Sequence, residues 1–452
     1  VGSIKKARLR QRRTEIPITR SIMDLDGPIG PDLSHPDSVI RLASAIHRFR
    51  CPEISPEQRI SYERSFKSAS ENHPETQAAL RKADTFRTDL ADSLVLGNKK
   101  GAHQQVIKCA KEYLPLIHKI LLTCKVQPEV ARLDERLFFN WASGLEKSKK
   151  FIKSEALMFE MIMVIVCQAL GTAGAASDAC IAGDFPGAGR ELKKAAGIMK
   201  FLAEDQLPKW ISRGTNVEDK ELPVEASVGI CDSFKTLFLA VGQQMAIATV
   251  LVKPGIPNYT LVAKLCLGVA ENLETFVNTI RSKAALQKEK IDPNFFTLIT
   301  FQIGLHNALC LYFGARGIWE GKDKYGIAIV MLSEAIAAMA TRRNVTSKGL
   351  PEISSKSPLK ALSDDLTDMR AHMALVLREW EKDNSMVYFE AVPRSIPEEY
   401  KIKKGLMMMK PDEFSLEDVE PLALSLSEEA MTPNEDSDRA LAEELQKRWN
   451  TE

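Results

Sequence analysis

Residues 303–340 spell out a complete helix, turn and helix, and no other stretch limits the fold so tightly. Leu305, Ala308, Leu309, Tyr312, Phe313 and Arg316 recur at three and four residues, a largely apolar stripe on a helix ending near Trp319. Gly321 is placed to close that helix with a positive φ. Tyr325, Ala328, Ile329, Leu332, Ala335, Ile336 and Met339 then make a second stripe at the same period. So short a connection forces antiparallel packing, and the small residues Gly326, Ala328 and Ala335 let the two backbones approach. This bulky-small alternation is tetratricopeptide-like. One apolar face of the second helix is left uncovered, so the hairpin predicts a stacked, superhelical array with a concave binding side.

Composition agrees with helix-on-helix packing. The 452 residues are 44% hydrophobic and 27% charged, with only 7% aromatic, and the net charge of +1 supplies no global attraction to nucleic acid. Eight cysteines, at 51, 109, 124, 167, 180, 231, 266 and 310, form no close pair; they read as buried free thiols in a reducing compartment. The sequons at Asn258 and Asn344 are then chance matches. The longest apolar run, residues 156–170, carries Glu160 and Gln168 and is shorter than a bilayer crossing, so it predicts a buried central helix. Residues 1–13 are basic without an apolar core, which argues against a secretory signal.

Along the chain the expectation is an all-α protein with three parts. Residues 1–32 form a basic, irregular arm, and residues 33–395 the helical domain. An extended or acidic tail over 396–452 ends in a short amphipathic helix at 438–449. Helical pattern is read at 36–49 and 55–72, then at 74–96 and 103–124, without competing strand alternation. Phe138, Phe139 and Trp141 are taken to enter a helix that begins near Leu133. Residues 385–397 look extended, and in the tail Lys401, Lys403, Lys404 and Lys410 flank Met407, Met408 and Met409.

Catalytic signals are weak. No histidine lies four residues from another, and the glycines at 183, 187 and 189 lack the Gly-Lys-Ser/Thr of a phosphate loop. A non-enzymatic protein is expected, with no cofactor, metal, nucleic acid or small-molecule substrate.

Four strings resemble the Bro domain family, the endosomal-targeting domain of Alix, brox and rhophilin. They are Ala195-Ala196-Gly197 leading to Phe201-Leu202; the run from Leu237 to Gln244; Tyr325-Gly326-Ile327-Ala328-Ile329 closing on Leu332; and Asp383-Asn384 with Val387-Tyr388 before Val392-Pro393. The resemblance covers roughly residues 33–395 and implies a curved, boomerang-like helical body with a tetratricopeptide-like core and a small β element. It also implies an adaptor that binds the amphipathic C-terminal helix of an ESCRT-III subunit, of the charged multivesicular body protein class, in endosomal sorting. Such a protein is cytoplasmic and recruited to endosomal membranes.

Helix-in-groove recognition needs an apolar concavity with a polar rim. The matching helix offers Leu237 and Val241, with Phe234 and Phe238 beside them and Lys235 for the rim; plain core packing is the competing reading of the four apolar residues. Lys147, Lys149, Lys150 and Lys153 are candidates for contact with an anionic membrane, against ordinary solvated charge. An exposed aromatic loop of the family has no counterpart between Trp141 and Phe151, and no prenylatable cysteine ends the sequence. A scaffold of the same fold that binds a different peptide is the alternative.

Overall fold

A computed structural model describes residues 35–56, 60–211, 222–322, 324–342 and 349–425. The expected arm at 1–32 and the terminal helix at 438–449 lie outside these residues, as do Asn344 and most of the loop around it.

Nine of the helices are named here with the short one that precedes them. The short helix α1 is Asp37–Ala43. Next come α2 (Pro74–Lys100), α3 (His103–Val126), α4 (Leu157–Ile181) and α5 (Phe185–Phe201). They are followed by α6 (Val228–Leu251), α7 (Tyr259–Lys283), α8 (Pro293–Glu320), α9 (Tyr325–Ala338) and α10 (Lys360–Asp383). From α2 to α10 each helix packs against the next, and α1 sits against α6, α8 and α10. Local chemistry sets the boundaries. Asp184 accepts from Gly187 N at 2.8 Å with Pro186 in the first turn of α5; Asn258 caps α7 through Leu261 N at 3.0 Å; Asp292 caps α8 through Asn294 N at 2.9 Å.

The hairpin α8–α9 forms as expected, but its turn differs. Gly321 keeps a helical φ of −69°, and Lys322 takes the left-handed conformation at φ 55°. Lys322 N donates to Trp319 O at 3.1 Å, so the last turn of α8 extends over Gly321 and shifts the reversal one residue on.

The small β element that the resemblance implies is present, and it takes residues that the helical pattern had claimed. Strands β1 (Glu53–Ile54), β2 (Phe139–Ala142) and β3 (Phe151–Ser154) make an antiparallel sheet, with Trp141 opposite both Ile54 and Ile152. Phe139 and Trp141 are buried from alternate positions of β2, whose four residues are too few to show a period. Residues 36–49 are helical only through Ala43.

Helix α4 is 25 residues long, and α4, α6 and α8 are each long and apolar enough to cross a membrane by length and composition. Length therefore does not distinguish α4 from a spanning helix. Burial does, because 94% of its most apolar window is enclosed by neighbouring elements. Its Glu160 accepts from Arg87 Nε at 2.8 Å, Tyr113 Oη at 3.1 Å and Trp141 Nε1 at 2.5 Å, which ties α2, α3 and β2 to the centre. All eight cysteines are free, and six are buried.

Residues 384–388 are not extended; they continue α10 in a wider turn that Phe389 ends at φ 54°. Asn384 fixes that reversal by donating to Glu390 O at 2.9 Å and accepting from Glu390 N at 3.1 Å. The chain then returns. Residues 401–425 cross the body as an extended strap, over α7, α6, α5, α3 and the start of α2.

Candidate functional site

The strap defines the face on which function can be sought. Leu406 N donates to Lys264 O at 2.9 Å, and Gly405 N donates to Glu271 Oε1 at 3.0 Å. Gln243 of α6 reads the strap backbone with both ends of its amide: Nε2 donates to Leu406 O at 2.7 Å, and Oε1 accepts from Met408 N at 2.8 Å. Farther along, Asp412 N donates to Lys193 O at 3.1 Å, Phe414 meets Phe201 edge to face, and Leu422 N donates to Thr123 Oγ1 at 2.8 Å. Two glycines permit this approach. A Cβ on Gly197 would lie 1.9 Å from Asp412 O, and one on Gly268 would lie 2.3 Å from Leu406 O.

Phe234, Leu237, Phe238 and Val241 do not line an open groove. All four are buried, with Phe234 and Phe238 in an aromatic cluster with Phe49, Phe276 and Phe295 at centroid separations of 5.5 to 6.0 Å. Core packing, the competing reading, describes all four. Because α6 is apolar almost all round, spacing cannot say which side looks outward. The outward side runs through Asp232, Lys235, Leu239, Ala246 and Val250, which are only half-buried. Lys235 lies on that side, paired with Asp232 at 2.8 Å and Glu204 at 3.4 Å. Burial works against ionisation of Asp232, yet hydrogen bonds from Lys235 and Lys283 hold its carboxyl below the usual range.

Beside the strap lies an open apolar and basic surface that the spacing argument missed. Leu261 is 37% exposed on α7, one turn before the exposed Lys264. The strap alternates: Gly405, Met407 and Met409 are partly covered, while Lys404, Leu406, Met408 and Lys410 are exposed. Lys193 and Lys194 of α5 add charge beyond, Lys193 pairing with Asp412 at 2.8 Å. The signal for this surface was present in the strap's alternation, but no local feature says what an isolated extended segment packs against.

The four hairpin lysines are exposed at the β2–β3 end. Two are engaged: Lys149 pairs with Glu53, and Lys153 Nζ lies 3.6 Å from the Phe138 ring centroid. Lys147 N donates to Lys290 O at 2.9 Å while its side chain stays exposed, as does that of Lys150. Buried Glu225 fixes the loop by accepting from Gly144 N at 2.7 Å and Leu145 N at 3.0 Å; burial raises its pKa.

Among the described residues no group of three or more His, Cys, Asp or Glu side chains is arranged to hold a metal ion.

Known proteins share this architecture. Human BRO1 domain-containing protein BROX is 27% identical over 259 residues, 55% of this chain and 58% of that protein. The mouse protein of the same name is 25% identical over 50% of this chain and 52% of its own length. The matched stretch thus spans little more than half of these curated relatives. A Bro1 domain solved for its role in endosomal targeting superposes with a TM-score of 0.62 at 15% identity, covering 82% of this chain and 93% of that one. The ALIX Bro1 domain in complex with CHMP4C gives 0.59 at 14% identity, covering 82% and 96%. At such identities these structures show the fold. A family profile described as the BRO1-like domain matches residues 63–440, most of the sequence. On that match the chain belongs to the BRO1-like domain family.

Proposed function

We propose that this protein is a non-enzymatic adaptor that binds the acidic, amphipathic C-terminal helix of an ESCRT-III subunit and acts at endosomal membranes. The observation that carries the reading is the surface beside the strap, where Leu261, Leu406 and Met408 lie among Lys193, Lys194, Lys264, Lys404 and Lys410. Apolar side chains ringed by ammonium groups suit a helix with one apolar face and carboxylates along its edges. Methionine adds a flexible contact that adapts to the partner. The ALIX Bro1 domain, solved with CHMP4C, supports a partner of this class. Calorimetric titration with C-terminal helical peptides of ESCRT-III subunits should give saturable binding that weakens as salt rises. Failure of every such peptide to bind would end this assignment of partner.

Membrane recruitment belongs to the same proposal. Lys147 and Lys150 project from a hairpin whose loop is hydrogen-bonded to Glu225, and charge of this kind favours an anionic surface. Sedimentation with phosphatidylserine-containing vesicles should show less bound protein for Lys147→Glu with Lys150→Glu than for the parent. Equal sedimentation would remove the hairpin from the account.

A further inference from the structure

Helix α4 buries an almost unbroken apolar surface, and its two long polar side chains, Glu160 and Gln168, are both enclosed. Glu160 has Arg87, Tyr113 and Trp141 as partners. Gln168 is different: it is 5% exposed, and its Oε1 is buried with no hydrogen-bond partner among the described residues. A buried acceptor left unpaired is unfavourable, so this position calls for a donor.

Gln168 lines a cavity of about 410 Å³ beneath the strap, where residues 412–417 pass from α5 to α3. Ile107, Leu114 and Ile198 form apolar walls. A second polar atom lies there. His118 Nδ1 is also buried with no hydrogen-bond partner among the described residues, and burial lowers the ring's pKa. In the tautomer that carries its proton on Nε2, the neutral ring offers Nδ1 as an acceptor. The charges around the cavity are Lys111 and Lys194 against Glu191, Asp412, Glu413 and Glu417. Glu191 is paired with Lys194 at 2.8 Å and Asp412 with Lys193 at 2.8 Å; Glu413 and Glu417 have no ion pair among the described residues.

We propose that the cavity under the strap binds a primary ammonium or guanidinium group on an apolar stem. The nitrogen donates to Gln168 Oε1 and His118 Nδ1, its charge faces Glu413 and Glu417, and the stem rests on Ile107, Leu114 and Ile198. Such a group arrives either on a free amine or on a lysine or arginine of a bound peptide. Two probes separate these sources: 1,5-diaminopentane, and an acetylated, amidated hexapeptide with a single central lysine.

The test is titration calorimetry of the full chain with each probe, repeated with Gln168→Leu, which removes the acceptor at similar volume. Saturable binding of the diamine, the peptide or both is expected, weakened roughly tenfold or more by the substitution. Thermal unfolding of Gln168→Leu should occur at or above the parent's temperature, because an unpaired acceptor has been removed from the interior. Glu413→Gln with Glu417→Gln should weaken binding without moving that temperature. No saturable binding of either probe at millimolar concentration, or equal binding by Gln168→Leu, overturns the proposal and leaves the cavity to ordered water.

Discussion

His306 shows how much one buried side chain can govern. It is fully enclosed in α8, with Nδ1 2.9 Å from Gln302 O, and burial pushes its pKa down to about 4. In the unfolded chain a histidine titrates near ~6.5. Between those values the unfolded state holds a proton that the native state lacks, so stability is full above about pH 6.5 and declines as the pH falls toward 4. The shift corresponds to about 3 kcal/mol for this residue. Urea unfolding at pH 7 and pH 4.5 should therefore show a smaller loss in His306→Gln than in the parent. Equal losses would contradict the assignment. The same scale explains the misplaced groove. The spacing of Phe234, Leu237, Phe238 and Val241 identified a buried stripe correctly, but Gly242 and Gln243, which meet the strap, are equally compatible with either face of α6. Only contacts from distant segments choose between them.

Among elements, the strap is the one whose position was least legible. The long helices could be read because a period of 3.6 repeats over three turns or more, and caps such as Asp184 and Asp292 punctuate it. The strap has no such repetition, and its partners lie far away in sequence: Glu271, Gln243, Thr123 and Thr76. The small sheet was hidden for a related reason, since two-residue and four-residue strands carry too few side chains for alternation to register. Two glycines of α5 measure how tightly the strap is held. Gly197→Ala places a Cβ against Asp412 O and should destabilise the fold by about 2 kcal/mol. Gly189→Ala meets nothing nearer than 3.7 Å and should stabilise it by about 0.5–1 kcal/mol. Chemical denaturation of both variants checks the contrast; a harmless Gly197→Ala would mean that the strap does not rest on α5.

At the level of the whole molecule, helices packed in sequence from α2 to α10 make the body, and the strap adds to one side of it a surface with both apolar and basic character. The α8–α9 hairpin predicts such a stack from its sequence alone, and membership of the family agrees with the four strings that resemble it. The partner surface is proposed on α7 and the strap and not on the α6 stripe that spacing singles out, because a binding face and a core face have the same composition on a helix this apolar. The central claim is that the protein binds an acidic amphipathic helix beside the strap. Its most direct test is titration of one ESCRT-III C-terminal helical peptide against the parent and Leu261→Asp, with thermal unfolding followed on both. The account predicts that Leu261→Asp, on an exposed side chain, keeps the parent's unfolding temperature and weakens binding at least about tenfold. Undiminished binding by a fully folded Leu261→Asp would contradict it.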